Sequence, residues 1–123
     1  MEILVIPDSF KGSLSAVEVA QVMAKTVKKV FPSSNCLSIP FSDGGEGALN
    51  VLASNIKGTF VECSTYDALK RPIKAPYFSF ENEKSVWIEL SQTAGITQLK
   101  KSELQPLKTS TLGTGKMIKD ALS

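Results

Sequence analysis

Residues 2–6, EILVI, are a continuous apolar run rich in β-branched side chains, the pattern of a strand buried on both faces of a parallel sheet. After a polar turn the period changes from two to helical. Ala16, Val19, Ala20, Met23, Val27 and Val30 recur on one side, opposite Glu18, Gln21, Lys25, Lys28 and Lys29. Ser15 and Glu18 have the spacing of a capping box, and Pro32 stops the helix because the residue before a proline avoids the helical region. CLSIPF (36–41) predicts a second strand, SDGGEG (42–47) a loop, and ALNVLASN a short helix closed by Gly58. The first 57 residues therefore predict β-α-β-α, the opening of a parallel α/β sheet.

At Gly58 the texture changes. TFVECSTY, IKAPYFSF and SVWIEL are strand-like runs joined by the turn-compatible DALKRP and ENEK, with no helix between them, which predicts an antiparallel meander. SQTAGITQL and KKSELQPLK are short amphipathic or irregular pieces. TSTLGTG (109–115) predicts a further loop before a short closing helix, KMIKDALS. Two parallel strands do not complete a doubly wound sheet, which commonly has about five or six. The pattern thus predicts a piece of a larger fold.

Composition narrows the chemistry. The chain has 123 residues, 42% hydrophobic and 21% charged, which places it among globular domains. There is no histidine, which removes Ser-His-Asp and Cys-His catalysis and every His-containing metal site. Cys36 and Cys63 form no CxxC and read as free buried thiols. The net charge is +2 and the basic residues are scattered, against a nucleic-acid partner. No run approaches the ~18 apolar residues of a membrane span, and the start lacks a signal-peptide pattern, so the expected compartment is the cytoplasm.

Three segments carry candidate chemistry. DSFKGS follows the first strand, SDGGEG the second, and TSTLGTG precedes the last helix. In a parallel α/β sheet the loops at the carboxyl ends of the strands meet at one crevice, where helix N-termini favour phosphate or carboxylate. Lys11 offers a cation to such an anion, and Ser9 and Ser13 offer hydroxyl donors. Asp8 and Asp43 are placed to orient a hydroxyl nucleophile or take its proton, and Glu46 either shares that work or caps its helix. Taken singly, Asp8 and Asp43 equally fit turn or cap residues, Lys11 a surface lysine, Arg71 a turn residue and Trp87 meander core. Recurrence after consecutive strands is what favours a site. GTGK (113–116) is not a phosphate-binding P-loop, because Ser110 stands where that motif needs glycine and Met117 where it needs Ser or Thr.

PDSFKGSLSA after ILVI, SDGGEG after the second strand and TSTLGTG before a helix resemble, in order, the N-terminal third of bacterial glycerate kinases. YDALKRPIKAPY is similar to that family's D-P-L-G-R-P-V segment, with Ala68 and Lys70 replacing the usual proline and glycine. IELSQTAGI is similar to its E-M-A-x-A-S-G-L, and Leu112 replaces the tyrosine usual before GTG. The resemblance implies ATP-dependent phosphorylation of D-glycerate, typically to 2-phosphoglycerate, with ATP and Mg²⁺ and with the metal ligands outside this segment. It implies two α/β domains with the active site in their cleft: residues 1–57 begin a flavodoxin-like domain, and residues 58–123 begin a second, inserted domain. Carried over by motif, Lys11 and Asp43 are the catalytic candidates. Asp8, Ser9, Gly12, Gly44, Gly45, Glu46, Gly47, Thr111, Gly113, Thr114 and Gly115 are assigned to substrate or phosphate, without division between glycerate and ATP. Family members are much longer, so the expectation is an N-terminal fragment, inactive alone and prone to self-association through an uncovered sheet edge. The competing expectation is a stand-alone anion-binding or regulatory module of the same fold.

Overall fold

A computed structural model describes residues 1–82 and 84–123. The chain is mixed α/β and forms two compact units, Met1–Ile56 and Lys57–Ser123.

In the first unit β1 (Glu2–Val5) and β2 (Asn35–Ser38) pair in parallel, with Ile3 opposite Cys36 and Val5 opposite Ser38. The crossover is α1 (Ala16–Val30), and α2 (Ala48–Asn55) follows β2. The capping box forms: Ser15 Oγ accepts the Glu18 N–H at 3.3 Å, and the Glu18 carboxylate accepts the Ser15 N–H at 2.8 Å. Such a cap is worth about 1 kcal/mol. The chain leaves the helix at Phe31, immediately before Pro32.

Three expectations change here. β1 is buried on one face only: Val5 is buried against α1, whereas Leu4 is 58% and Ile6 52% exposed, as is Leu37 of β2 at 59%. One helical layer covers one face of the pair, and within this unit nothing covers the other. The apolar stripe of α1 is likewise buried only at its first half, at Ala16, Val19 and Ala20, while Met23 and Val30 are exposed. A 15-residue helix is about 22 Å long and a four-residue strand about 13 Å, so α1 outruns the sheet beneath it. Gly58 does not close α2. That helix ends at Asn55, whose side-chain amide donates to the Val51 carbonyl at 2.8 Å, and Gly58 opens the next strand.

The second unit is built on a meander. β3 (Gly58–Tyr66) and β4 (Pro72–Phe80) pair antiparallel over their whole length, and β5 (Val86–Trp87) adds two residues beside Phe78 and Ser79. The expected strand SVWIEL is therefore short, because the chain turns at Leu90 into the single-turn helix α3 (Ser91–Ala94). The ENEK turn includes Glu83, which lies outside the described residues. One face of the ribbon, through Cys63, Ala75 and Tyr77, packs on Met117 of α4 (Leu112–Ala121). On the other face Phe78 meets Phe60 and Phe80 edge-on, with ring centroids 5.6 and 5.4 Å apart. Both cysteines are free, Cys63 buried as expected but Cys36 only half-buried, since it lies on the short two-stranded sheet.

The largest departure is at α4. TSTLGTG is not a loop throughout: the helix begins at Leu112, so Gly113, Thr114 and Gly115 lie in its first turns. Two glycines so close together disfavour a helix by about 1 kcal/mol each, and packing overrides them. A Cβ on Gly113 would run into the backbone carbonyl of Tyr66 and reach within 3.1 Å of Thr93 Cβ, whereas one on Gly115 would meet nothing within 4 Å. The same substitution should therefore have opposite signs two residues apart. Gly113→Ala overpacks an unyielding backbone and should lose at least about 1 kcal/mol in urea unfolding. Gly115→Ala should gain up to about 1 kcal/mol through helix propensity. Equal shifts in the two variants would refute the close-packing account.

Candidate functional site

Because β1 and β2 are parallel, the loops that follow them leave from the same end of the sheet. The ladder runs on past the strands. Ile39 N–H donates to the Val5 carbonyl and Phe41 N–H to the Pro7 carbonyl, both at 2.9 Å. Pro40 sits between them, at the position whose missing N–H faces away from β1. Asp8 and Ser42, the next residues on the two chains, start side by side.

The first loop is a tight turn. Phe10 and Leu14 bridge antiparallel, with Phe10 N–H donating to the Leu14 carbonyl at 2.9 Å, and hold Lys11, Gly12 and Ser13 as an exposed tip. Asp8 Oδ1 accepts the Ser9 N–H at 2.6 Å. In the second loop Ser42 Oγ accepts the Gly44 N–H at 3.2 Å and Asp43 Oδ1 accepts the Gly45 N–H at 2.8 Å. Gly44 and Gly47 have φ of 91° and 89°, the left-handed region that a Cβ penalises by about 1–2 kcal/mol. Gly47 is the cap of α2 and supplies no side-chain oxygen of its own. A helix start attracts phosphate or carboxylate through its N–H groups and partial positive charge.

Asp8, Ser9, Lys11, Gly12, Asp43, Gly44, Gly45, Glu46 and Gly47 thus stand on two loops at one end of the β1–β2 pair. Both aspartates commit one carboxylate oxygen to their own loop, which fixes their orientation. The third segment belongs to the second unit. There Thr111 caps α4, Gly113 is buried, Thr114 half-buried and Gly115 exposed. Thr65 Oγ1 donates to the Gly113 carbonyl at 2.7 Å, Thr93 and Thr114 hydroxyls lie 2.6 Å apart, and Ser110 N–H donates to the Ala68 carbonyl at 2.9 Å.

Around that segment the structure gathers polar residues that the sequence reading did not select. Asp67 and Glu89 are 5% and 4% exposed, and Thr65 and Thr93 are buried with them. Asp67 organises the turn after β3. Its Oδ1 accepts the N–H groups of Leu69 and Arg71, at 2.9 and 2.8 Å, and its Oδ2 pairs with the Arg71 guanidinium, which also reaches Glu103 at 2.9 Å. Glu89 accepts the Ser91 hydroxyl. The available signal was an acid at the end of each strand-like run, TFVECSTY-D and SVWI-E. Among the described residues no three His, Cys, Asp or Glu side chains gather to hold a metal ion, and no helix is long and apolar enough to cross a membrane.

These features define an α/β chain whose glycine-bearing loops stand together at the carboxyl end of a parallel strand pair. The pattern described as Glycerate kinase family matches residues 3–123, and the chain belongs to that family. It is 34% identical over 122 residues to a glycerate kinase of Haemophilus influenzae, covering 99% of this chain and 32% of that protein. A glycerate 2-kinase of Escherichia coli is 33% identical with the same coverage. A crystal structure of a Salmonella typhimurium LT2 protein, provisionally assigned as glycerate kinase 2, superposes with a TM-score of 0.78 at 34% identity, over 99% of this chain and 33% of that one. The chain spans about a third of the length of the relatives it matches.

The Asp67 turn carries a pH signature. Burial works against its ionised form, but the Arg71 N–H, the Arg71 guanidinium and the Leu69 N–H outweigh it, and the carboxyl titrates below its usual range. A depressed folded-state pKa contributes stability above the unfolded value, and that stability is lost as pH falls through the folded value. Asp67→Asn should therefore lower the urea midpoint at pH 7, and the gap from wild type should close as pH falls below about 4. A gap that is the same at both pH values would rule out the charge as its source.

Proposed function

We propose that this chain is part of a kinase that transfers the γ-phosphoryl group of ATP to a hydroxyl of D-glycerate, giving 2-phosphoglycerate. One observation carries the reading: in a chain of the glycerate kinase family, the Phe41 N–H to Pro7 carbonyl bond sets the lysine-bearing and glycine-rich loops side by side at the carboxyl ends of parallel strands. Since the chain spans about a third of its relatives' length, the activity is proposed for a protein of family length. In that protein residues 1–57 begin a flavodoxin-like domain and residues 58–123 an inserted one.

Phosphoryl transfer asks the protein mainly for positioning and charge neutralisation. The exposed Lys11 ammonium and the N–H groups at the start of α2 supply positive potential for carboxylate and phosphate oxygens. Asp43, held by the Gly45 N–H, orients the glycerate hydroxyl and takes its proton as the oxygen attacks the γ-phosphorus. The bond to the β,γ-bridging oxygen breaks and ADP leaves. Asp8, Ser9, Gly12, Gly44, Glu46 and Gly47 shape the same corner; Thr111, Gly113, Thr114 and Gly115 are proposed for substrate or phosphate on the family resemblance alone, without division between glycerate and ATP. Mg²⁺ neutralises ATP phosphates when bound.

In a protein of family length, Lys11→Ala should lower kcat/KM for glycerate by about tenfold or more, read by coupled ADP release. Unchanged kinetics would remove Lys11 from the site. Binding of glycerate and ATP without turnover would favour an anion-binding module instead.

A further inference from the structure

The second unit contains a cavity of about 550 Å³ beside the start of α4. Its walls are Leu90, Ile96, Leu99, Leu104 and Pro106, and no lining side chain carries a charge. Leu90, Ile96 and Leu104 are 53%, 69% and 42% exposed, so the concavity presents apolar surface to solvent. The polar residues of the lining are Gln105, Thr109, Ser110 and Thr111. Apolar walls with a few convergent polar groups, in a volume between about 300 and 1,000 Å³, are the hallmark of a small-molecule site.

The two substrates of the proposed reaction differ sharply in what they ask of such a cavity. Glycerate is a small anion with polar atoms all round, and these walls offer it neither a cation nor enough donors to replace its water. A nucleotide has one large uncharged flat part, its base, with ring nitrogens and an amino group at the edge. We infer that this cavity holds the base of the nucleotide, stacked between aliphatic walls with its polar edge toward Gln105, Ser110 and Thr111. The inference rests on the kinase reading for the identity of its occupant. Ser110 and Thr111 belong to both the cavity and the approach to α4, so the sugar and phosphates leave the mouth toward the start of that helix.

The test is calorimetric titration of the 123-residue chain with adenosine, with inorganic tripolyphosphate and with toluene. Two variants, Ile96→Asp and Leu104→Glu, place a charge on walls that are already partly in water, and an unchanged Tm verifies their fold. Adenosine affinity should fall by about tenfold or more in each variant, a change of about 1.4 kcal/mol, while tripolyphosphate binding stays as it was. Three results would overturn the assignment: no adenosine binding, adenosine binding in both variants as tight as in the wild type, or toluene binding as tight as adenosine. The kinase reading fails separately. Adenosine binding in the cavity, with no glycerate turnover in a protein of family length, would leave the pocket standing and remove the reaction. Turnover with an unmoved KM for ATP in Ile96→Asp would keep the reaction and move the base elsewhere.

Discussion

The first unit hangs on one constraint: its two strands run the same way. Parallel neighbours cannot be joined by a hairpin, so the chain must cross back over the sheet, and α1 is that crossing. The same direction puts both outgoing loops at one end, and the residual ladder through Ile39 and Phe41 fixes how close they stand. Glycine at 44 and 47 then lets the second loop fold back into α2 without a side chain in the way. What the constraint leaves unsatisfied is the second face of the pair. Parallel sheets are ordinarily covered on both sides, and here Leu4, Ile6 and Leu37 stay in water.

The second unit solves a different problem, how to bury charge beside a hairpin. Asp67 is tolerated inside because backbone N–H groups and a guanidinium converge on it, and Arg71 bridges onward to Glu103. Midway along the ribbon the balance tips the other way. Burial first, and then the nearby Asp120 carboxylate, raise the Cys63 thiol and the Tyr77 phenol above their ordinary values. One acid organises a turn as an anion. The other adds to the burial that disfavours charge on its neighbours.

Local chemistry was legible in the sequence wherever a residue acts on its own neighbours. Ser15 and Glu18 announced the cap, Pro32 the end of α1, and the β-branched and aromatic runs after Gly58 the meander. The two loops after the parallel strands were legible as well, because their residues sit immediately after recognisable strands. What escaped was whatever depended on a distant partner. The glycines at 113 and 115 read as loop because the carbonyl of Tyr66 and the hydroxyl of Thr65, which hold the helix start in place, lie nearly fifty residues away. The exposure of Leu4 and Ile6 escaped because an apolar run reports the preference of its side chains and not the presence of a layer to cover them. Neither Asp67, in the DALKRP turn, nor Glu89, inside the SVWIEL run, stood out in the sequence, because only burial separates them from surface acids.

The glycines of α4 also set the order of events as the second unit assembles. A helix start containing two of them has no tendency to form on its own, so it acquires structure only when docked. Its anchoring bond, Thr65 to Gly113, spans 48 residues, against the five-residue turn that closes the β3–β4 hairpin. Loop-closure entropy makes the longer closure costlier by about 2 kcal/mol, and the hairpin can form in microseconds. The hairpin is therefore expected to form before α4, with Gly113, Thr114 and Gly115 at its start, docks on it.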